Sequence, residues 1–160
     1  MKDLAHLAAL GRTATLGRKV HRARLLVEEW LRLCERPVIS CGGGKDSTAL
    51  LQLVHSVEPT VPVVCADPPN PLPDRPEHVR LLEMAAGGGW THVPYPWDVD
   101  AVLDGREQYP EGLKIVRLRA ELDRRSCDGY ALGIRCSESK GRRLNYRKRG
   151  ALYLTGGRLV

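Results

Sequence analysis

One segment constrains the fold of this chain more than any other. Between Val38 and Leu51, a short apolar run ends in three consecutive glycines, and Lys-Asp-Ser-Thr and a second apolar run follow. Glycines let the backbone turn tightly and let its N–H groups approach an anion, because no side chain stands in the way. The start of a helix adds N–H donors and a partial positive charge, and Lys45 adds a full charge. The segment therefore predicts a strand, an anion-binding loop and a helix.

The motif differs from two common phosphate-binding loops. A Walker A loop has Ser or Thr directly after its lysine, to reach Mg²⁺, whereas Asp46 stands at that place here. The dinucleotide-binding fingerprint needs a third, spaced glycine, which this segment lacks. A glycine-rich turn without any ligand is the alternative interpretation.

Length and composition indicate one ordinary domain. The chain has 160 residues, of which 42% are hydrophobic and 28% charged, enough for a single core and too few for two. The sequence has no apolar run of membrane-spanning length and no clear secretory segment. We therefore expect a cytoplasmic protein without a membrane partner, with residues 1–18 as an arm or short helix and residues 19–160 as the domain.

The five cysteines do not form a metal or disulfide pattern. Their number is odd and no two of them are spaced as Cys-x-x-Cys, which argues against a disulfide scaffold, a zinc ribbon and an Fe–S cluster. Buried thiols that pack as small hydrophobes are the favoured interpretation. Cys41, beside the glycine loop, stays as an alternative nucleophile. The cysteines are Cys34, Cys41, Cys65, Cys127 and Cys136.

Hydrophobic periodicity predicts alternating helices and strands. We expect helices at 19–35, 47–56, 77–86 and 111–125, and a turn or short helix at 98–103. We expect strands at 37–41, 61–66, 91–95 and 130–134, and a final pair at 151–154 and 158–160. The proline-rich stretch 67–76 is expected to be neither helix nor central strand.

This alternation predicts an α/β fold with a doubly wound, mostly parallel sheet. Ligands of such sheets bind outside the carboxyl ends of the strands. The glycine loop, Asp67 and Arg135 each follow a predicted strand, so we expect them to converge in space.

Positive charge is concentrated near the end of the chain. The net charge is +6, and the segment from Arg135 to Gly150 carries seven basic residues and one acidic residue, Glu138. Such a cluster is either a solvated basic surface or a site for a polyanion, such as nucleotide phosphates or a nucleic acid backbone.

Two motifs carry a resemblance to a known family. The loop is similar to the Ser-Gly-Gly-Lys-Asp-Ser element of the PP-loop ATP pyrophosphatases, with Gly42 in place of the first serine. The segment from Gly133 to Arg142 is similar to the element Gly-x-Arg-x-x-Glu-Ser-x-x-Arg of the branch that resembles phosphoadenosine phosphosulfate (PAPS) reductases. Asp67 and Pro73 match a further, weaker element. The likeness covers residues 20–154 and implies a Rossmann-like fold of the adenine nucleotide alpha hydrolase type.

The resemblance implies a role for each matched residue. The residues expected to bind the phosphates or sulfate of ATP or PAPS are Gly42, Gly43, Gly44, Lys45, Asp46, Ser47, Asp67, Gly133, Arg135, Glu138 and Ser139. Lys45, Asp46, Arg135 and Arg142 are the candidate catalytic residues, and Asp46 and Asp67 are candidate Mg²⁺ ligands. Glu138 and Ser139 would orient the arginines or cap a helix. We also expect Gly44 to have a backbone conformation that excludes a β-branched residue.

The family's reductases carry their nucleophilic cysteine in a Glu-Cys-Gly-x-His element, which this sequence does not contain. We therefore expect chemistry at the α-phosphate of the nucleotide, with adenylation of an unknown second substrate and release of pyrophosphate, or a related nucleotidyl or sulfur transfer. The alternatives are a non-catalytic nucleotide-binding module, as a homo-oligomer or completed by a partner subunit, and a reductase with an atypical cysteine. Nucleic acid binding alone would leave the glycine loop unexplained.

Overall fold

A computed structural model of the chain describes residues 15–67, 75–87, 89–96, 98–108, 112–135 and 138–160. The helices in these ranges are α1 (Leu16–Leu33), α2 (Lys45–His55), α3 (Arg75–Ala85), α4 (Val99–Leu103), α5 (Leu113–Arg124) and α6 (Lys140–Arg149). The strands are β1 (Pro37–Ser40), β2 (Val63–Asp67), β3 (Trp90–Pro94), β4 (Gly129–Leu132), β5 (Leu154–Thr155) and β6 (Arg158–Leu159). None of the described helices is long and apolar enough to cross a membrane.

The strands form one sheet in the order β3-β2-β1-β4-β6-β5. Neighbouring strands are parallel except β5 and β6, which are antiparallel. The first four residues of β2, Val63 to Ala66, are all buried, which is typical of a parallel strand covered on both faces. The prediction of an α/β fold with a mostly parallel sheet is therefore confirmed. Strands β2 and β3 lie on one side of β1, and β4 lies on the other.

Helices cover both faces of this sheet. Ile39 of β1 belongs to the cluster of buried side chains that α1, α2 and α3 form on one face. Its neighbour Val38 belongs to the cluster on the opposite face, where Leu122 of α5 packs. Because successive side chains of a strand point to opposite faces, one short strand anchors both layers. The core thus lies on both sides of β1.

A glycine in β4 allows α1 to lie close to the sheet. A Cβ atom at Gly129 would overlap the sulfur of Cys34 and lie 3.0 Å from Nε1 of Trp30. Both of those side chains are buried. A residue larger than glycine would therefore push α1 away from β4.

Asp128 joins the starts of β1 and β4. Its carboxylate accepts hydrogen bonds from the backbone N–H groups of Glu35 and Arg36, each at 2.9 Å. Burial acts to raise the pKa of Asp128, but these hydrogen bonds outweigh it, and the net effect is a lowered pKa. The contact fixes the two strands side by side, so that their carboxyl ends also lie together.

Most predicted elements are present, with shifted ends. Helix α1 begins at Leu16, three residues before the predicted start, and the Thr15 hydroxyl caps it by accepting a hydrogen bond from the N–H of Arg18. Strand β2 ends at Asp67, and α3 begins at Arg75. The prediction that the proline-rich stretch contains no helix was therefore wrong at its end, because proline is tolerated in the first turn of a helix.

Helix α6 was not among the predicted elements. Its residues are mostly charged or polar and none of them is buried, so it has no apolar stripe of the kind that reveals a helix in a sequence. The last two strands were predicted longer than they are, since each has only two residues.

An acid titration tests the hydrogen bonds that Glu121 of α5 accepts from Arg124 and Arg125. The hydrogen bond from Arg124, helped by one from Arg125, outweighs burial and lowers the pKa of Glu121 from 4.5 to about 2. A lowered folded-state pKa gives stability that is complete above pH 4.5 and is lost as the pH falls towards 2. We expect Glu121→Gln to flatten the fall in thermal midpoint over this interval. The exposed Glu28→Gln is the control, and an equal effect of both changes would contradict the assignment.

Candidate functional site

The glycine loop connects β1 to α2 at the carboxyl edge of the sheet. The N–H of Cys41 donates to the carbonyl of Val64 at 3.0 Å, which continues the pairing of β1 with β2 beyond Ser40. Gly44 is the N-cap of α2 and provides no side-chain cap. The N–H groups in the first turn of a helix have no acceptor within the helix. The start of α2 can therefore receive an anion.

The conformation of the loop depends on Gly43. Its φ is +76°, a left-handed conformation that other residues rarely adopt. The Gly43 carbonyl lies 2.8 Å from Nε2 of His78 in α3, a contact that sequence analysis did not identify. Gly44, in contrast, has φ −75° and open space around the position of a Cβ. The prediction that Gly44 needs a conformation closed to β-branched residues was wrong, and Gly43 holds that position.

The other loop residues differ in exposure and partners. Lys45 is exposed, while Asp46 and Ser47 are partly buried. The Ser47 hydroxyl donates to the carbonyl of Gly44 at 2.9 Å, which tightens the turn. None of the described atoms lies within 4 Å of a Cβ placed at Gly42. The loop therefore has room for a serine at this position, the residue found there in the PP-loop element.

Arg135 lies beside the loop and bonds directly to it. It follows β4, the strand next to β1, and its Nε lies 2.9 Å from a carboxylate oxygen of Asp46. The Arg135 side chain is 50% exposed and that of Asp46 29% exposed. The structure therefore brings together two motifs that are far apart in the sequence.

Glu138 links Arg135 to Arg142. One carboxylate oxygen of Glu138 lies 3.3 Å from Arg135, and the other forms an ion pair with Arg142. Asp46, Arg135, Glu138 and Arg142 thus form one chain of alternating charges. Glu138 and Arg142 are four residues apart, a spacing that suits such an ion pair, and the expectation that Glu138 orients the arginines agrees with these contacts.

Ser139 is the N-cap of α6. Its hydroxyl accepts a hydrogen bond from the N–H of Arg142 at 3.1 Å. Of the two roles expected for Ser139, orienting the arginines or capping a helix, the contact shows the second. The cap also fixes the first turn of α6 and thereby the backbone position of Arg142.

Gly133 allows the end of β4 to meet the start of α2. A Cβ at this position would lie 2.6 Å from the carbonyl oxygen of Asp46 and from the N and Cα of Ser47. These are backbone atoms, which cannot rotate away as a flexible side chain can. The structure therefore gives Gly133 a packing role next to the loop.

The predicted magnesium ligands do not form a prepared site. The Asp46 carboxylate is bound to Arg135. Asp67 is the last residue of β2, and its side chain lies outside the part of the structure that is described. Among the described residues, no group of three or more metal-ligating side chains is found. Mg²⁺ often binds through substrate phosphates and only one or two carboxylates, so an ion would have to arrive with a nucleotide.

The described cysteines are buried. Cys34, Cys41, Cys65 and Cys127 lie in the core as reduced cysteines. Burial raises the pKa of Cys34 to about 11 and also raises that of Cys127, which disfavours the reactive thiolate. Cys41 has no exposed surface. Cys136 lies outside the described residues.

An apolar cavity of about 310 Å³ lies behind the arginine motif. It is enclosed by α1, α2, the end of β4, α6 and the segment before β5, and Arg142 contributes to its wall. Asn145 and Tyr146 line it as well, at three and four residues beyond Arg142. Sequence analysis did not identify these two residues, although helical spacing from Arg142 would have placed them on the same face.

No known protein-family model matches this sequence, and no curated protein matches it either. Functional assignment therefore depends on the motifs and on the geometry of the site.

A pair of glycine substitutions tests the contact between β4 and α2. Gly133→Ala inserts a Cβ against backbone, and overpacking of this kind costs about 1–3 kcal/mol. We expect a lower thermal midpoint and a disturbed loop, seen as amide chemical-shift changes at Gly43 and Asp46. Gly141→Ala is the matched control, because it has open space around it within α6 and alanine favours a helix. A Gly133→Ala protein as stable as the control would contradict the packing role.

A second pair separates the two glycines of the loop. Gly43→Ala places a side chain on a left-handed backbone, which costs roughly 1–2 kcal/mol, whereas Gly44→Ala fits its backbone and its surroundings. We expect Gly43→Ala to lower the unfolding free energy in urea. Gly44→Ala should lower it less, by under about 1 kcal/mol, because alanine is a poorer N-cap than glycine but fits the backbone. The reverse order would show that the loop has another conformation.

Proposed function

We propose that this protein binds an adenine nucleotide, ATP or PAPS, with the phosphate or sulfate groups on the glycine loop and in contact with Arg135 and Arg142. We further propose that its fold is the doubly wound, Rossmann-like type of the adenine nucleotide alpha hydrolases. The position of β2 and β3 on one side of β1, with β4 on the other, supports this. Ligands of such sheets bind where the strand order reverses, and the glycine loop follows β1 at that place.

One observation carries the proposal: the ion pair between Asp46 and Arg135. It joins the two motifs of the PP-loop resemblance at one edge of the sheet. Neither motif alone distinguishes a ligand site from a tight turn or a basic surface. Their contact leaves the start of α2 and the guanidinium of Arg135 within reach of the same anion.

The energies favour exchange of Asp46 for a phosphate. An exposed ion pair contributes only about 0–1 kcal/mol, and Arg135 is half exposed. A phosphate meets the same solvent screening at Arg135, but the planar fork of arginine can make two parallel hydrogen bonds to it, whereas the contact with Asp46 is through Nε. A bound phosphate would therefore compete successfully for Arg135, while Glu138 keeps Arg142 in place.

The proposed reaction is attack on the α-phosphorus of ATP. A nucleophile of the second substrate forms a bond to this phosphorus, the bond to the bridging oxygen breaks, and pyrophosphate leaves with the electron pair. Negative charge grows on the departing pyrophosphate. Lys45, Arg135 and the N–H groups at the start of α2 would stabilise this charge. The product is the adenylated second substrate.

One observation favours a second candidate function. Two carboxylates of the described site, Asp46 and Glu138, are both ion-paired, so neither is a ready general base. A nucleotide-binding module completed by a partner subunit would need no such base. Reduction of a sulfonucleotide by Cys41 has less support, because that thiol is buried.

Nucleotide binding by variants of Arg135 tests the proposal. We expect ATP or PAPS to raise the thermal midpoint, measured with and without Mg²⁺ and beside AMP and adenylyl sulfate. Arg135→Ala should weaken the affinity about 10- to 150-fold, the equivalent of one charged hydrogen bond. Arg135→Lys should be nearly as weak, since an ammonium cannot grip two oxygens.

Arg147→Lys is the matched control, because Arg147 is exposed on α6 and has no role in this site. Isothermal titration then gives the affinities of the three variants. No binding of any of these nucleotides, or an unchanged affinity of a folded Arg135→Ala variant, would refute the proposal.

A further inference from the structure

Helix α6 has an unusual charge distribution. Its sequence of 10 residues, KGRRLNYRKR, contains six basic residues and no acidic one. All six basic side chains belong to exposed residues. The helix therefore forms a dense positive surface next to the proposed nucleotide site.

The helix has two distinct faces. The inner face carries Arg142 and Tyr146, which line the apolar cavity, and Arg149, which lies over the ring of Tyr153. At 100° per residue, the remaining basic residues fall on the opposite side. This outer face consists of Lys140, Arg143, Arg147 and Lys148, with Leu144 between them.

The charges of the outer face act against the stability of the helix. Helix α6 has no acidic residue in its first turn, although that end of a helix favours negative charge and disfavours Lys140 and Arg143. Arg143 and Arg147 are four residues apart, a spacing at which like charges repel. Within the part of the chain that the structure describes, none of the four outer cations is paired with a carboxylate. An external polyanion would relieve this repulsion.

We infer that the outer face of α6 binds the phosphodiester backbone of a nucleic acid. This goes beyond the proposed function, which assigns only Arg142, on the inner face of the same helix, to the nucleotide site. Lys140 and Lys148 are eight residues apart, about 12 Å along a helix. The outer face is thus long enough for a short stretch of phosphodiester backbone.

The composition of the face favours a nucleic acid over a membrane. A helix that lies in a membrane surface needs a broad apolar face beside its cations, whereas Leu144 is the single apolar residue among the four outer cations. Arginine is well suited to phosphate, because its fork binds two oxygens at once.

The test compares two triple variants of equal charge. Arg143→Gln/Arg147→Gln/Lys148→Gln removes three charges from the outer face of α6 and spares Arg142. Lys114→Gln/Arg117→Gln/Arg119→Gln removes three exposed charges from α5, the helix on the other face of the sheet. Fluorescence anisotropy with a labelled 20-nucleotide single-stranded RNA, its DNA equivalent and a duplex gives the affinity at several salt concentrations.

We expect the α6 variant to bind RNA at least 10-fold more weakly than wild type, and the α5 variant to match wild type. The slope of log affinity against log salt should decrease by about 2 in the α6 variant, since each lost contact to a single strand lowers it by about 0.7. Arg143→Lys/Arg147→Lys keeps the charge and should keep most of the affinity, which also guards against a failure of the triple variant to fold.

Equal losses in the α5 and α6 variants, or none in either, would overturn the inference. Tighter binding to phosphatidylserine vesicles than to RNA, measured by co-sedimentation and lost in the α6 variant, would overturn it as well. ATP binding is measured on the same samples. Its absence in wild type with RNA binding intact would refute the proposed function alone, whereas intact ATP binding without RNA binding would refute this inference alone.

Discussion

The backbone of Gly133 touches the backbone of Asp46 and Ser47 so closely that a side chain has no room between them. The geometry of the site depends on this contact. It places the first residues after β4 against the first turn of α2, and Arg135, two residues later, reaches the Asp46 carboxylate. The contact in turn needs β1 and β4 to be neighbours, which the hydrogen bonds of Asp128 secure at the other end of the strands. A contact at the amino ends of the strands therefore helps to position charge at their carboxyl ends.

The charges of the site are arranged in series. Asp46 and Glu138 each hold Arg135, and Glu138 also holds Arg142. In the exposed setting of Arg135, each pair contributes little to the free energy of folding. Their effect is mainly on geometry, because an arginine held by a carboxylate on one side presents its remaining N–H groups on the other. If an entering anion replaces Asp46, Arg135 is still held by Glu138. The anion would therefore bind a side chain that is already ordered.

Sequence analysis predicted the order of the strands along the chain and the parallel sheet, because the buried strands are continuous apolar runs such as Val63 to Ala66. It also placed Arg135 near the loop, because both follow strands that end at the same edge. It assigned the special backbone conformation to the wrong glycine, because three adjacent glycines look alike in a sequence. The structure shows that Gly43 is the one of them with positive φ. Sequence analysis missed α6 because that helix has no buried residue, and it missed His78 because nothing local to α3 indicates a contact with Gly43.

Helix α6 shows how one element can serve two surfaces. A helix with cations in its first turn and like charges four residues apart is weak by itself. The Ser139 cap and the ion pair of Arg142 with Glu138 counter this at its start, and the contact of Arg149 with Tyr153 does so at its end. All three contacts involve the start, the end or the inner face of the helix, and they leave the outer cations to solvent. Because the positive field of those cations extends over roughly a Debye length, about 8–10 Å, it would also attract an anionic nucleotide towards the adjoining loop.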